Sequence, residues 1–288
     1  MPTPTQAVRS ETKNYNPLWD QMFFDDHSDI NSALQAFRHK FGQLASDDQC
    51  QLCTAPFDGP IVKERSRNSK NPEFCDACDK FMREHFPGKT DLHPCPCISI
   101  DVVGSSEVRN DEDYLEDVQK PFEAQTFRAL CKHDGFLENY RGDELRGLYP
   151  RGFSGDDNAK QALDTALFIL QNPIKNHKGK PINVRIGLHI GPVQIYSRGD
   201  SPETFSGCGI VGAGINLCSY LTGEKVKGGA YEALITDNLF KEIGIQPVGP
   251  VKEITPKHIK EGEEEVIYAH VVTKSNVKTI EKFLRQSS

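Results

Sequence analysis

CISIDVVGSS, from Cys97 to Ser106, opens as an apolar run broken by a single acid and closes on a glycine and two serines. An apolar run of this length, ended by a turn signal, reads as a buried strand. A strand that feeds a Gly/Ser turn at Gly104, Ser105 and Ser106 and then a helix makes a phosphate cradle, because backbone N–H groups there point at an anion. An ordinary strand-to-helix turn with a serine cap is the simpler reading of these residues alone. Asp101 stands inside the strand, where an unpaired carboxylate is costly to bury.

Outward from this strand the pattern alternates. Asp113 to Lys132 is expected as a helix with Leu115, Val118, Phe122, Phe127 and Leu130 on or near one face. Two extended pieces between Phe136 and Tyr149 flank Gly142-Asp143, a pair favoured in tight hairpins. Asp156 to Leu170 is a second helix, with Ala159, Ala162, Leu163, Ala166, Leu167 and Leu170 at helical spacing. Val184 to Ile190 reads as a strand, Gly191-Pro192 as a turn that breaks it, and Val193 to Tyr196 as another strand. Gly212 to Leu221 reads as a short helix and Val266 to Val272 as a last strand. Interleaved strands and helices give an α/β or α+β domain whose sheet is covered on one side. If the strands carrying Asp101 and Asp143 are neighbours, both carboxylates converge beside the phosphate turn. Paired hard-oxygen donors of that kind suit Mg²⁺ or Mn²⁺ in two-metal phosphoryl transfer.

Upstream, the cysteines set the expectation. There are nine, an odd number, behind a start (MPTPTQAVRSETKNYNP) with no apolar signal core, so a disulfide framework is a poor fit. Cys50-x2-Cys53 and Cys75-x2-Cys78 present two thiolates from each of two tight turns, the donor set of a structural zinc ion. Redox or iron–sulfur chemistry and four unrelated thiols are the other readings. Cys95 and Cys97, around Pro96, belong to a strand entry. Thr54 to Phe74 reads as loop. Ile30, Leu34, Phe37, Phe41 and Leu44 recur every three or four residues behind Ser28 and Asp29, an amphipathic helix with an N-cap. Such a stripe packs into a core or forms a dimer contact.

The whole chain has 288 residues, with 34 basic and 41 acidic side chains for a formal charge of −7. Its 37% hydrophobic and 26% charged content is that of an ordinary globular protein. The longest apolar run, Ala166 to Leu170, is far below the ~20 residues that span a bilayer, so no membrane insertion and a cytoplasmic location are expected. The acidic balance argues against a nucleic-acid partner, because neutralising phosphates takes surplus Lys and Arg.

Four segments, IDVVGSS (Ile100 to Ser106), RGDELRGLYP (Arg141 to Pro150), VRIGLHIGPV (Val184 to Val193) and GIVGAGINLCSYL (Gly209 to Leu221), resemble the class III nucleotidyl cyclases, the adenylate and guanylate cyclase catalytic domain, in order and approximate spacing. The resemblance implies an α+β fold with a ferredoxin-like βαββαβ core over residues 95–273. A small Cys-rich extension over 1–94 would precede it and a tail over 274–288 would follow. It also implies a homodimer with active sites at the interface, where a ribose 3′-hydroxyl attacks the α-phosphate of a nucleoside triphosphate. Asp101 and Asp143 match the family's metal aspartates, holding two Mg²⁺ or Mn²⁺ ions per site with the Val102 carbonyl. Asn216 matches the asparagine that positions the ribose, and Lys252 a lysine that holds the triphosphate.

The departures bear on the base. Asn139 and Gly209 stand where adenylate cyclases carry a lysine and an aspartate, and the guanylate cyclase glutamate is also absent at the first position. Asn139, Arg141 and Asp143, spaced by two along extended chain, share a face. Arg141 offers only donors, which suits the carbonyl oxygens of uracil better than the amino group of cytosine. An ion pair of Arg141 with Glu138 or Glu144 is the alternative use of its charge. The pattern resembles the pyrimidine cyclases of Pycsar antiphage defence, which implies UTP as substrate and cyclic UMP as a second messenger for a separate effector. CTP, or a purine triphosphate read by other contacts, is the alternative substrate. Tyr220 replaces an arginine that stabilises the transferred phosphoryl group; Arg185, Arg198 or Lys252 would have to supply the charge. A degenerate nucleotide-binding protein or a zinc-containing interaction protein is the reading of another class.

Overall fold

The computed structural model describes residues 14–25, 27–42, 48–57, 65–105, 113–224, 232–256 and 266–287. Its centre is β1 (His93–Val102), which pairs antiparallel with β3 (Glu144–Leu148) on one side and β4 (Val184–Ser197) on the other. Pro94 and Pro96 are tolerated in this central strand because pairing with β3 starts only at Cys97, past both rings. β2 (Phe136–Arg141) forms a hairpin with β3, giving the order β2-β3-β1-β4. With helices between β1 and β2 and between β3 and β4, this is the ferredoxin-like βαββαβ arrangement expected from the resemblance. The sheet goes on through β6 (Glu232–Thr236), β8 (Ile267–Val272) and β7 (Val251–Ile254), while β5 (Cys208–Val211) pairs with the outer part of β4.

One face of the sheet buries the aliphatic side of the helices. Ile98, Ile100 and Val102 of β1 meet α4 (Lys120–Lys132), α6 (Asn158–Gln171), α8 (Asp237–Ile243) and α9 (Val277–Ser287) in one cluster that includes Phe122, Leu163, Leu167, Phe240 and Ile280. Each such fully buried side chain contributes roughly 1.5–3 kcal/mol of transfer free energy. Strand alternation sends Cys95, Cys97, Ser99 and Asp101 to the opposite face.

Part of that opposite face carries α7 (Ala213–Gly223), and another part carries the N-terminal segment. Trp19, Met22 and Phe23 of α1 (Pro17–Phe23) share a cluster with Phe136, Leu148 and Val193 of the sheet. Phe23 packs edge-on against Phe136 at 5.2 Å and stacks on Phe153 of α5 (Arg151–Ser154) at 5.3 Å. Leu34 and Phe41 of α2 (Asp29–Gly42) are buried in the same cluster, so the amphipathic stripe serves core packing, with Ser28 Oγ accepting the Asn31 N–H as its cap. Phe37 stays 39% exposed, and Leu44 lies outside the described residues. The two CxxC turns, the second opening α3 (Asp76–His85), belong to this cluster too.

Several boundaries shift from the sequence expectation. Gly191-Pro192 does not break β4, which runs unbroken from Val184 to Ser197. The reason is tertiary: both residues pair with β1, opposite Cys95 and Pro94, and a Cβ on Gly191 would meet the Gly214 Cα at 2.9 Å where α7 crosses. The expected helix from Asp113 starts as a π-helical turn, Leu115–Gln119, before α4. Among the described residues no helix is long and apolar enough to cross a membrane.

Candidate active site

Asp101 is the penultimate residue of β1, and its Cα partner on β3 is Glu144. Asp143, one residue before Glu144, sits in the two-residue turn of the β2–β3 hairpin. Gly142 takes a φ of 64° at the first turn position, the II′ pattern that calls for glycine there. The Val102 N–H donates to the Asp143 carbonyl at 3.2 Å, tying the end of β1 to the turn. The Ser105 hydroxyl, in the segment after Gly104, donates to Asp143 Oδ2. The structure thus brings Asp101, Val102, Gly104, Ser105 and Asp143 to one end of the sheet; Ser106 lies outside the described residues.

Burial raises the Asp101 carboxyl most, and Asp143 raises it further by like-charge repulsion. Arg185, its Cα partner on β4 with Nη2 3.7 Å from Asp101 Oδ2, opposes both, and the carboxyl settles at about 6. Two carboxylates that repel one another beside a turn are a donor set that a divalent cation satisfies. Asp101 in the folded chain is protonated below about pH 6, so that contribution favours the fold at low pH and is lost as pH rises through about 6. On the expectation that Asp101 is a metal ligand, which must be ionised to bind, Mn²⁺ affinity followed by calorimetry is expected to fall about tenfold per pH unit below that point and to level off above it. An affinity constant across roughly pH 5 to 8 would remove Asp101 from the ligand set.

Of the other expected substrate residues, Arg141 lies level with Asp101 across Glu144, whereas Lys252 is on the opposite edge of the sheet. Asn216 is exposed on α7, one turn before Tyr220, whose hydroxyl donates to the Thr255 carbonyl at 3.4 Å. Lys252 is on the edge strand β7, with Nζ 2.9 Å from Glu224 Oε2. Asn139 and Arg141 are on β2, Asn139 half-buried and Arg141 exposed. Gly209 is buried under Tyr196, where a Cβ would meet the ring carbon bearing the hydroxyl at 2.4 Å, so any larger side chain there requires the Tyr196 ring to move.

A β-bulge in β2 was not legible in the sequence. Pairing with β3 shifts between Leu137 and Asn139, so that Glu138 is the extra residue. Asn139 is the Cα partner of Arg146, and the Glu138 side chain also reaches Arg146, so both residues end on one face. Glu138 Oε2 lies 3.6 Å from Arg146 Nε and Oε1 3.6 Å from Arg198 Nη2, with Arg146 1% exposed. Burial pushes the Glu138 carboxyl up against the pull of Arg146, Arg141 and Arg198. Arg141 itself forms no ion pair among the described residues, and Glu144 instead accepts the Ser99 hydroxyl at 2.6 Å. Arg198 is thereby engaged at the far end of β4, away from Asp101.

The four cysteines converge as their spacing predicts. Their Sγ atoms all lie within 4.8 Å of one another, buried, with Cys53 and Cys75 3.9 Å apart. Tetrahedral zinc with Zn–S of ~2.3 Å sets its sulfurs about 3.8 Å apart. Backbone N–H groups of Cys75 and Cys78 donate to the sulfurs of Cys50 and Cys75, and Arg65 Nη1 lies 3.5–3.8 Å from the sulfurs of Cys53, Cys75 and Cys78. Cys75 caps α3, where the helix dipole favours a thiolate. Donor type, spacing and surrounding positive charge all fit a soft divalent ion.

No protein-family model matches the sequence, and no curated protein matches it. Solved structures do resemble it. The guanylyl cyclase Cya2 matches 64% of this chain and 93% of its own, at 19% identity and a TM-score of 0.53. The catalytic core of a rhodopsin-guanylyl cyclase with converted specificity, solved with ATPalphaS, matches 64% and 98% at 19% identity and a TM-score of 0.51. The guanylate cyclase domain of RhGC from Catenaria anguillulae, solved with GTP, matches at 19% identity, again over 64% and 98%, with a TM-score of 0.50. Sheet order, hairpin and helices together give this chain the fold of a class III nucleotide cyclase catalytic core, with a Cys-rich segment built onto one face.

Proposed function

We propose that the chain is a nucleotidyl cyclase, and the observation that carries this is the meeting of Asp101 and Asp143 at the end of β1. The ribose 3′-hydroxyl of a bound nucleoside triphosphate gives up its proton to water, its oxygen forms a bond to the α-phosphorus, the α–β phosphoanhydride bond breaks, and pyrophosphate leaves. Asp101, Asp143 and the Val102 carbonyl would hold two Mg²⁺ or Mn²⁺ ions, which supply a more acidic 3′-hydroxyl and charge neutralisation at the leaving group. Arg185, already beside Asp101, is the cation best placed to meet phosphate oxygens once the carboxylate turns to metal. Asn216 orients the ribose, and the Tyr220 hydroxyl donates where relatives use an arginine. Gly104 and Ser105 would supply the phosphate turn, together with Ser106, expected there from the sequence. Lys252 is on the edge strand β7, four strands from β1, with Tyr220 reaching the end of that strand, which supports a homodimer in which each site draws these residues and Asn216 from the second copy.

The division into a 1–94 extension, a 95–273 catalytic domain and a 274–288 tail belongs to the same proposal, with one zinc ion on Cys50, Cys53, Cys75 and Cys78. For the base, UTP is the favoured substrate, giving 3′,5′-cyclic UMP as a second messenger for an effector in antiphage defence. Support comes from Asn139 and Gly209 at the purine-reading positions, from Tyr196 filling the space over Gly209, and from the exposed donor Arg141. GTP, read by other contacts, is the second reading; Glu138 supplies none of them, because its carboxylate is buried between Arg146 and Arg198.

Competition of the four triphosphates with Mn²⁺ in one reaction, resolved by product mass, tests both. Cyclic UMP in excess supports the first reading, and cyclic GMP in excess replaces it with the second. Arg141→Ala is expected to flatten the preference by roughly tenfold while leaving Mn²⁺ affinity unchanged, the loss of about one good hydrogen bond to a base. An unaltered product ratio takes Arg141 out of base recognition.

A further inference from the structure

We propose that Glu224 is a positioning residue that holds Lys252 in the nucleotide-free protein and competes with substrate polyphosphate for it, so that its carboxylate sets triphosphate affinity. The inference presupposes the cyclase reading and adds a residue and a control to it. Glu224 follows α7 directly, its N–H donating to the Leu221 carbonyl at 3.2 Å as the helix cap. Its Oε2 lies 2.9 Å from Lys252 Nζ, with the two side chains 28% and 26% exposed. Tyr220, one turn earlier, reaches the Thr255 carbonyl just beyond β7. Burial and then the neighbouring Glu224 carboxylate raise the Tyr220 hydroxyl. Glu232, at the start of β6, is a second carboxylate within the field of Lys252, which lowers it against burial. The two groups expected at the polyphosphate therefore share one corner with Glu224.

A carboxylate oxygen and a phosphate oxygen are the same kind of acceptor for an ammonium, at the same distance. An incoming polyphosphate must displace Glu224 from Lys252 or bind beside a like charge, and either lowers its affinity. Glu224→Gln keeps the shape and removes the charge.

The test is calorimetry of the full-length protein with inorganic tripolyphosphate, which carries no base and undergoes no cyclisation. Glu224→Gln is expected to bind about three- to tenfold tighter than the parent, and Glu224→Asp to stay near it. Lys252→Ala is expected to bind about tenfold weaker, and adding Glu224→Gln to it should change nothing more. In turnover, Glu224→Gln lowers KM with kcat within about twofold. If Lys252→Ala weakens binding but Glu224→Gln leaves it equal or weaker, Glu224 merely props the lysine; the inference fails and the cyclase reading stands. If Lys252→Ala has no effect on tripolyphosphate binding, Lys252 does not bind phosphate, and its place in the site falls with the inference.

Discussion

Asp143→Asn is expected to cut turnover by about 10³-fold or more while the protein stays folded, and Asp101→Asn to do the same. Both carboxylates lie where β1 ends against the hairpin turn, and each supplies a hard oxygen that an amide replaces only as a weak, uncharged ligand. The stability readout goes the other way for Asp101. Its carboxyl is raised by burial and by Asp143, so at neutral pH the ionised form opposes folding, and the asparagine should melt at or slightly above the parent temperature. Product formation by mass spectrometry, paired with thermal melts, separates the two effects. Parental turnover in either variant would rule out the two-metal assignment. A collapse of the fold in both would make the carboxylates structural.

Loss of the zinc ion proposed for the four cysteines should produce the largest stability change. Cys53→Ser is expected to reduce zinc from one ion per chain to well below one by elemental analysis, and to lower the melting temperature by about 10 °C or more. The physical reason is placement: Cys50, Cys53, Cys75 and Cys78 share their buried cluster with Trp19, Phe23, Phe136 and Leu148. Four buried thiols without a cation, beside the Arg65 guanidinium, leave charge and hydrogen-bonding capacity unmet. Iron in place of zinc, with absorption in the visible range, would assign the same ligands to a cluster. Parental melts with no metal found would reduce them to plain core thiols.

How much could be read in advance depended on the range of the interactions involved. The β2–β3 hairpin and the strand through Asp101 follow from residues adjacent in the chain, so Gly142-Asp143 and the apolar run announced them. Helix α6 was legible for the same reason, its alanines and leucines repeating at one spacing. Continuity of β4 through Pro192 was not, because it depends on β1 pairing opposite and α7 crossing at Gly214. β5, β6 and β7, four or five residues each, are too short for a periodic signal and form by pairing with distant partners. At the site, Asp101 and Asp143 were named and are neighbours in space. The bulge that turns Glu138, the Tyr196 ring over Gly209 and the Glu224–Lys252 pair arise from tertiary packing and left no local trace.

The aromatic cluster joining α1 to Phe136, Leu148 and Phe153 means that the front of the chain is no detachable appendage. Clipping it away would strip the part of that side not covered by α7 of its dry covering, leaving greasy, sticky surface to clump with other molecules. Any ancestor or relative that dispensed with this segment would have had to repaint that side of the sheet with polar residues.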